Sequence, residues 1–185
     1  MTIFDRKLTV IMLSFVGLTT IYFRLVSHTP NFSPALTLAL FSGALGEKKM
    51  SRYGVPLLIM FCTDLILGTH ATMPFTYISI LLITWIGTFI RKHGLIHMSW
   101  GALIAPLTFY VISNFGVWIT TPLYPKSLDG LVECYVAAIP FFRNSFIGTS
   151  LFSLFAGLTF IATHYLIKTR LVYEKVDKKD VSFRG

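Results

Sequence analysis

Long apolar runs, separated by short polar stretches, make up most of this chain and predict a bundle of membrane-spanning helices. A helix needs about 20 apolar residues to cross the hydrocarbon core, at 1.5 Å of rise per residue. The pattern therefore predicts an all-α membrane protein in which six transmembrane helices form one integral membrane domain covering residues 1–185. The predicted spans are 8–26, 34–46, 54–69, 75–90, 100–119 and 146–167, followed by a basic tail at 168–185.

Two of the predicted spans have special features. Span 34–46 is short and carries small side chains, among them Ala39 and Gly43, which let helices approach closely. We therefore expect it to run within the protein rather than to face lipid. Pro106 interrupts the fifth span and predicts a kink, which neighbouring helices tolerate in a membrane.

The longest connection covers residues 120–144, between the fifth and sixth spans. It alternates apolar and polar groups and contains Pro122, Pro125, Gly130 and Pro140. We interpret it as a partly helical outer cap, or a re-entrant segment, that lies over one end of the bundle.

Composition supports the membrane class. Hydrophobic residues make up 54% of the 185 residues and charged residues only 13%, which is typical of an integral membrane protein. Six spans leave no room for a soluble catalytic domain. The two cysteines, Cys62 and Cys134, have no CxxC spacing and do not indicate a disulfide framework.

The distribution of positive charge predicts the orientation. With six spans, all but three of the 16 Lys and Arg residues fall on one side, and the exceptions are Arg24, Lys126 and Arg143. Basic residues near spans stay cytoplasmic, so both termini of this multi-pass protein are predicted to be cytoplasmic. The basic tail fits a position near anionic lipid, and we predict the lipid bilayer, not nucleic acid, as its partner.

Asp64 is the most unusual residue of the predicted spans. An ionisable group costs about 2.5–3.5 kcal/mol to insert at the centre of a membrane helix, so an intramembrane Asp is a hypothesis for a functional site. The alternative is a structural Asp that pairs with an arginine. Arg24 and Arg143 are the partners that the predicted topology offers.

Other polar residues are predicted to lie at the same outer end of the bundle as Asp64. His70 follows Asp64 by six residues, so Asp64 would lie about 9 Å deeper along one helix. Polar groups that converge in an apolar cavity are typical of a small-ligand site, whereas an interfacial belt would explain Trp118 but not Asp64. The predicted solute-binding residues are Arg24, His28, Asn31, Asp64, His70, Tyr77, Asn114, Trp118, Tyr135, Arg143 and Asn144.

The sequence contains no G-x-S-x-G or H-E-x-x-H motif and no phosphate-binding G-x-x-x-x-G-K-[ST] motif. We therefore predict no enzymatic activity, no metal site and no cofactor, apart from a vitamin bound as the solute. Cys62 and His70 are weak metal-ligand candidates, and a buried, inert Cys62 is favoured. Two alternatives stay open: a membrane enzyme that uses Asp64 and His70, and a scaffold or assembly protein.

Several short segments together resemble an uncharacterised bacterial integral-membrane family: 24–34, 64–70, 114–118, 124–125, 130–131, 134–135 and 139–144. That family is similar in size and layout to the substrate-binding S components of energy-coupling-factor vitamin transporters. The resemblance implies a protein of the bacterial cytoplasmic membrane that takes up a vitamin or cofactor precursor. It also implies a partner, a coupling transmembrane subunit with ATPases. The first span lacks the Ala-x-x-x-Ala pattern with which S components usually dock, so a solitary protein is the alternative.

Overall fold

A computed structural model describes residues 6–27, 29–91 and 95–183 of the chain, without the side chains of residues 6, 95–99, 164, 167–168 and 170–183. These residues form helices and short connections, and no strand occurs among them. The helices are α1 (Arg6–Val26), α2 (Ala35–Leu45), α3 (Val55–Leu67), α4 (Met73–Ile90), α5 (Leu95–Thr120), α6 (Leu128–Ala137) and α7 (Ile139–Phe183). A π-helical turn, Met50–Gly54, leads into α3.

Five helical segments are long and apolar enough to cross a bilayer. Their outward faces carry large apolar side chains, such as Leu18 and Ile66, which are 67% and 70% exposed. A soluble protein rarely exposes so continuous an apolar surface, so this surface is suited to lipid. The chain is therefore a helical, multi-pass membrane protein, as predicted. The segments are Lys7–Val26, Met50–Leu67, Met73–Ile90, Trp100–Thr120 and Ile139–Thr163.

The short helix α2 lies at the centre of the bundle. All 11 of its residues are buried, which is typical of a helix that is apolar on every face. At 1.5 Å per residue it is about 16 Å long, roughly half the thickness of the hydrocarbon core. The predicted span 34–46 thus corresponds to an internal helix that is too short to cross the bilayer by itself.

Helices α2 and α4 cross at two glycines, Gly43 and Gly87. A Cβ atom at Gly87 would overlap the Leu40 carbonyl oxygen, and a Cβ at Gly43 would overlap the Thr84 carbonyl oxygen. The two backbones are therefore in direct contact, as small residues permit in membrane helices. This contact fixes the depth at which α2 sits in the bundle.

The connection between α5 and α7 is shorter than predicted. Helix α7 begins at Ile139, whereas the predicted sixth span begins at residue 146. Pro140 falls within the predicted connection, yet proline fits the first turn of a helix because the N–H groups there have no helical acceptor. Within the predicted cap, the structure has α6. The backbone of α7 continues to Phe183, so most of the predicted tail is helical.

At the end of the bundle where α2 finishes, two arginines bind one carbonyl group. Arg52 Nε and Arg91 Nη1 donate to the Gly46 carbonyl oxygen at 2.6 Å and 2.9 Å. Cations are favourable at a helix C-terminus, where carbonyl groups lack helical partners. These two basic residues therefore stabilise α2 in addition to contributing to the charge asymmetry.

Candidate functional site

An ion pair joins α1, α3 and α4 near the opposite end of the bundle. Arg24 Nη2 donates to Asp64 Oδ1, and the Tyr77 hydroxyl donates to Asp64 Oδ2 at 2.8 Å. Arg24 Nε donates to the Thr63 hydroxyl, also at 2.8 Å. Both oxygens of the Asp64 carboxylate therefore have protein donors, and Asp64 is only 2% exposed. Of the two arginines that the sequence offered, the structure pairs Asp64 with Arg24.

Helix α3 ends shortly after Asp64, which corrects one sequence-based distance. Its last residue is Leu67, and Gly68 adopts a φ of 99°, with its N–H bonded to the Asp64 carbonyl oxygen at 2.9 Å. Glycine adopts such a positive φ without the steric cost that a Cβ atom would add. The predicted depth of about 9 Å between Asp64 and His70 assumed a continuous helix. That assumption was wrong, because His70 lies beyond the helix.

A cavity of about 380 Å³, here called the large cavity, opens at this end between α5, α6 and the turns that precede α2 and α4. Its lining combines apolar side chains, such as Phe109 and Phe141, with the polar residues Asn31, His70 and Asn114. A mostly apolar pocket of 300–1,000 Å³ with a few polar groups is typical of a small-molecule site.

A second space of about 50 Å³, here called the small cavity, lies beside it and has Arg24 in its lining. Asn31, Thr76 and Phe109 line both cavities. We call the region around these three shared residues the neck. Arg24 is the only Arg or Lys residue among those that line the two cavities.

Helix α6 is fastened to α5 by hydrogen bonds in both directions. The Tyr110 hydroxyl donates to the Tyr135 carbonyl oxygen, and the Tyr135 hydroxyl donates to the Val111 carbonyl oxygen, each at 2.6 Å. Ser127 caps α6 by accepting from the Gly130 N–H at 3.2 Å. One wall of the large cavity is therefore held in place by directional bonds.

Cys134 of α6 lines the large cavity but is chemically quiet. Its thiol approaches the Asn114 carbonyl oxygen at 3.4 Å, and burial raises the pKa of the thiol. Burial also raises the pKa of the neighbouring Tyr135 hydroxyl. A raised pKa leaves less thiolate at neutral pH, and thiolate is the reactive form of cysteine.

The predicted solute-binding residues separate into groups with different roles. Asn31, His70 and Asn114 line the large cavity. Arg24 lines the small cavity, and Asp64 and Tyr77 hold the Arg24 side chain in place. The remaining described residues line neither cavity. Trp118 Nε1 and Asn144 Nδ2 donate to the carbonyl oxygens of Pro125 and Pro30, respectively. The Tyr135 hydroxyl bonds α6 to α5, and Arg143 is exposed. His28 lies outside the described residues.

The structure does not join the residues that the enzyme alternative needs. Asp64 bonds to Arg24 and Tyr77, whereas His70 Nδ1 lies 3.3 Å from the Thr72 hydroxyl. Cys62 is exposed on α3, so the prediction of a buried cysteine was wrong, and it is not among the residues lining the two cavities. Within the described ranges, no three His, Cys, Asp or Glu side chains form a cluster that could hold a metal ion.

Sequence reasoning missed several residues of the two cavities, among them Thr76, Phe109 and Ser113. Each lies inside an apolar helix, and only the rotation of that helix directs it toward the cavities. Thr76 carried no sequence signal, because Ser and Thr in membrane helices commonly bond to the carbonyl four residues earlier. Ser113 does so, donating to the Phe109 carbonyl oxygen at 2.6 Å.

The fold and the two cavities define a helical membrane protein with a pocket of apolar and polar side chains at one end of its bundle. The chain belongs to DUF6580, a family of unknown function, which matches residues 4–172. Neither a curated protein nor a solved structure matches the chain.

Proposed function

We propose that the protein binds a small solute in the large cavity and takes part in its uptake across the bacterial cytoplasmic membrane. The observation that carries the proposal is the large cavity itself. Its volume of about 380 Å³ suits a molecule of vitamin or cofactor-precursor size, and its lining offers both apolar contact and hydrogen bonds. The resemblance to vitamin-transporter S components also favours the binding and uptake of a vitamin-sized solute.

The proposal includes an orientation. The charge distribution favours cytoplasmic termini, which would direct the large cavity toward the outside of the cell. A solute could then enter from the outside without crossing the bundle. An uptake cycle also needs an energy source, and a partner subunit with ATPases would supply it if the protein does not act alone.

The binding site is tested by filling the large cavity. Ala137 lines it, so an Ala137→Phe substitution places an aromatic ring in the space that the solute would occupy. Native mass spectrometry of the detergent-purified protein should find a small molecule bound to the wild type and at least tenfold less of it on Ala137→Phe, a loss of about 1.4 kcal/mol.

Val136→Phe is the matched control for this experiment. Val136 is the preceding residue of α6, is 59% exposed and is absent from the lining of the large cavity. It should retain the bound molecule. Equal retention by the two variants, or a wild type that binds nothing, would contradict the proposed function.

The orientation is tested by labelling single cysteines in intact cells. Asp129 lies in the first turn of α6, the helix that forms one wall of the large cavity, and Lys49 precedes the π-helical turn. Both side chains are exposed. In a Cys62→Ser background, Asp129→Cys should react with an impermeant maleimide from outside, and Lys49→Cys only after permeabilisation. Native Cys134 should contribute little because burial raises its pKa. Reversed labelling would place the cavity on the cytoplasmic side.

A further inference from the structure

Hydrogen-bonding groups without protein partners converge at the neck. The hydroxyl of Thr76 makes no hydrogen bond to the described residues, although most other helical threonines donate to a carbonyl three or four residues earlier. The Asn31 side-chain amide and Arg24 Nη1 also have no partner in the described part of the chain. These three residues belong to different segments of the chain, and all three line the small cavity.

The chemistry of these groups is dominated by donors. Arg24 Nη1 carries two N–H donors on a permanent cation, and Thr76 can donate its hydroxyl hydrogen. Ser33 also lines the small cavity, and its oxygen accepts from the Ala35 N–H at 3.4 Å, which leaves its own hydrogen free to donate. A ligand group that matches this set must accept several hydrogen bonds at once.

The ion pair with Asp64 prepares Arg24 for such a ligand. Nη2 and Nε bond to Asp64 and Thr63, which fixes the plane of the guanidinium. A fixed guanidinium loses less rotational freedom on binding, and Nη1 presents its two N–H donors to a carboxylate. The N-terminus of α2, whose residues Ala35 and Leu36 line the small cavity, adds a partial positive charge.

Size limits the anionic group further. The small cavity, at about 50 Å³, exceeds the roughly 10–15 Å³ that one ordered water requires. It can therefore hold a group of a few atoms, whereas the remainder of the solute would occupy the large cavity.

From this geometry we infer that the solute carries a carboxylate, which binds at the neck against Arg24, Asn31 and Thr76. The inference rests on the proposed function and specifies its substrate class as a small organic acid. The carboxylate receives charge-assisted hydrogen bonds from Arg24, while the body of the acid contacts Phe109 and Phe141.

Acetate and acetamide test the inference, because they have nearly the same size and differ in charge. Saturation-transfer NMR on the detergent-purified full chain, at matched ionic strength, should detect acetate binding and no comparable acetamide binding. Thr76→Val keeps the side-chain shape and removes the donor. Asn31→Gly removes the amide and tolerates the φ of 60° found at Asn31. Each substitution should weaken acetate binding about tenfold, as expected for the loss of a hydrogen bond to a charged group.

Thr88→Val is the control on the same helix, because the Thr88 hydroxyl bonds to the Trp85 carbonyl oxygen and lines neither cavity. It should leave acetate binding unchanged. Equal binding of acetate and acetamide, no acetate binding, or equal effects of Thr76→Val and Thr88→Val would each overturn the inference. Displacement of acetate by added phosphatidylglycerol, with no effect of phosphatidylcholine, would assign the neck to a lipid headgroup and also overturn it.

The two proposals fail in distinguishable ways. If a molecule co-purifies with the wild type but not with Ala137→Phe, and acetate does not bind, the proposed solute site is supported and the inferred carboxylate is wrong. If acetate binds and Thr76→Val weakens its binding, but no co-purified molecule is lost from Ala137→Phe, the anion site is supported and the proposed uptake function is wrong.

Discussion

Asp64→Asn should destabilise the protein by roughly 3–5 kcal/mol, because removing one member of a buried ion pair leaves its partner uncompensated. Asp64 is 2% exposed, and the paired Arg24 guanidinium would keep its charge in a region of low dielectric constant. Reversible unfolding in mixed micelles, followed by circular dichroism, measures the loss.

Two further variants test whether the loss of stability comes from the unpaired charge of Arg24. Replacing both partners, as in the double variant Arg24→Met with Asp64→Leu, should recover most of the lost stability, since apolar replacement of a whole buried pair is often neutral. Asp129→Asn removes an exposed carboxylate outside the spans and should lower the free energy of unfolding by no more than about 1 kcal/mol, the effect of an acid in the first turn of α6.

The double variant should also lose acetate binding, because it lacks the cation at the neck. A fully stable Asp64→Asn variant with impaired solute binding would show instead that the Asp64 carboxylate contacts the solute. The expectation that the ion pair is structural would then be wrong.

Much of the fold could be predicted from the sequence, because membrane helices need long apolar runs that are visible in one chain. The internal position of α2 was also foreseeable, since the run at 34–46 is short and rich in small residues. The start of α7 was not, because Pro140 is compatible with both a loop and a first helical turn.

The candidate site was harder to predict than the fold. The sequence identified Asp64 as unusual and offered two arginines, but only the packing of α1 against α3 shows that Arg24 is its partner. His70 was placed on a continued helix although Gly68 is a common signal for a helix end. Thr76 depends on the rotation of α4, which an apolar helix without a clear polar face does not reveal.

The helix crossing at Gly87 gives the second large effect. Gly87→Ala should destabilise the protein by about 3 kcal/mol, at the upper end of the range for overpacking, because its Cβ would overlap the Leu40 carbonyl oxygen. A backbone atom cannot rotate away as a side chain can, so α2 and α4 must separate. The same micelle unfolding experiment measures this change.

Gly157→Ala is the matched control, because a Cβ at Gly157 of α7 would meet nothing within 4 Å. It should be neutral, or stabilising by about 0.4–1 kcal/mol through reduced freedom of the unfolded chain. Similar stabilities for the two variants would mean that α2 and α4 do not approach so closely. Because Asn31 and Ser33 lie in the turn that leads into α2, displacement of α2 in Gly87→Ala should also weaken acetate binding, which Gly157→Ala should leave intact.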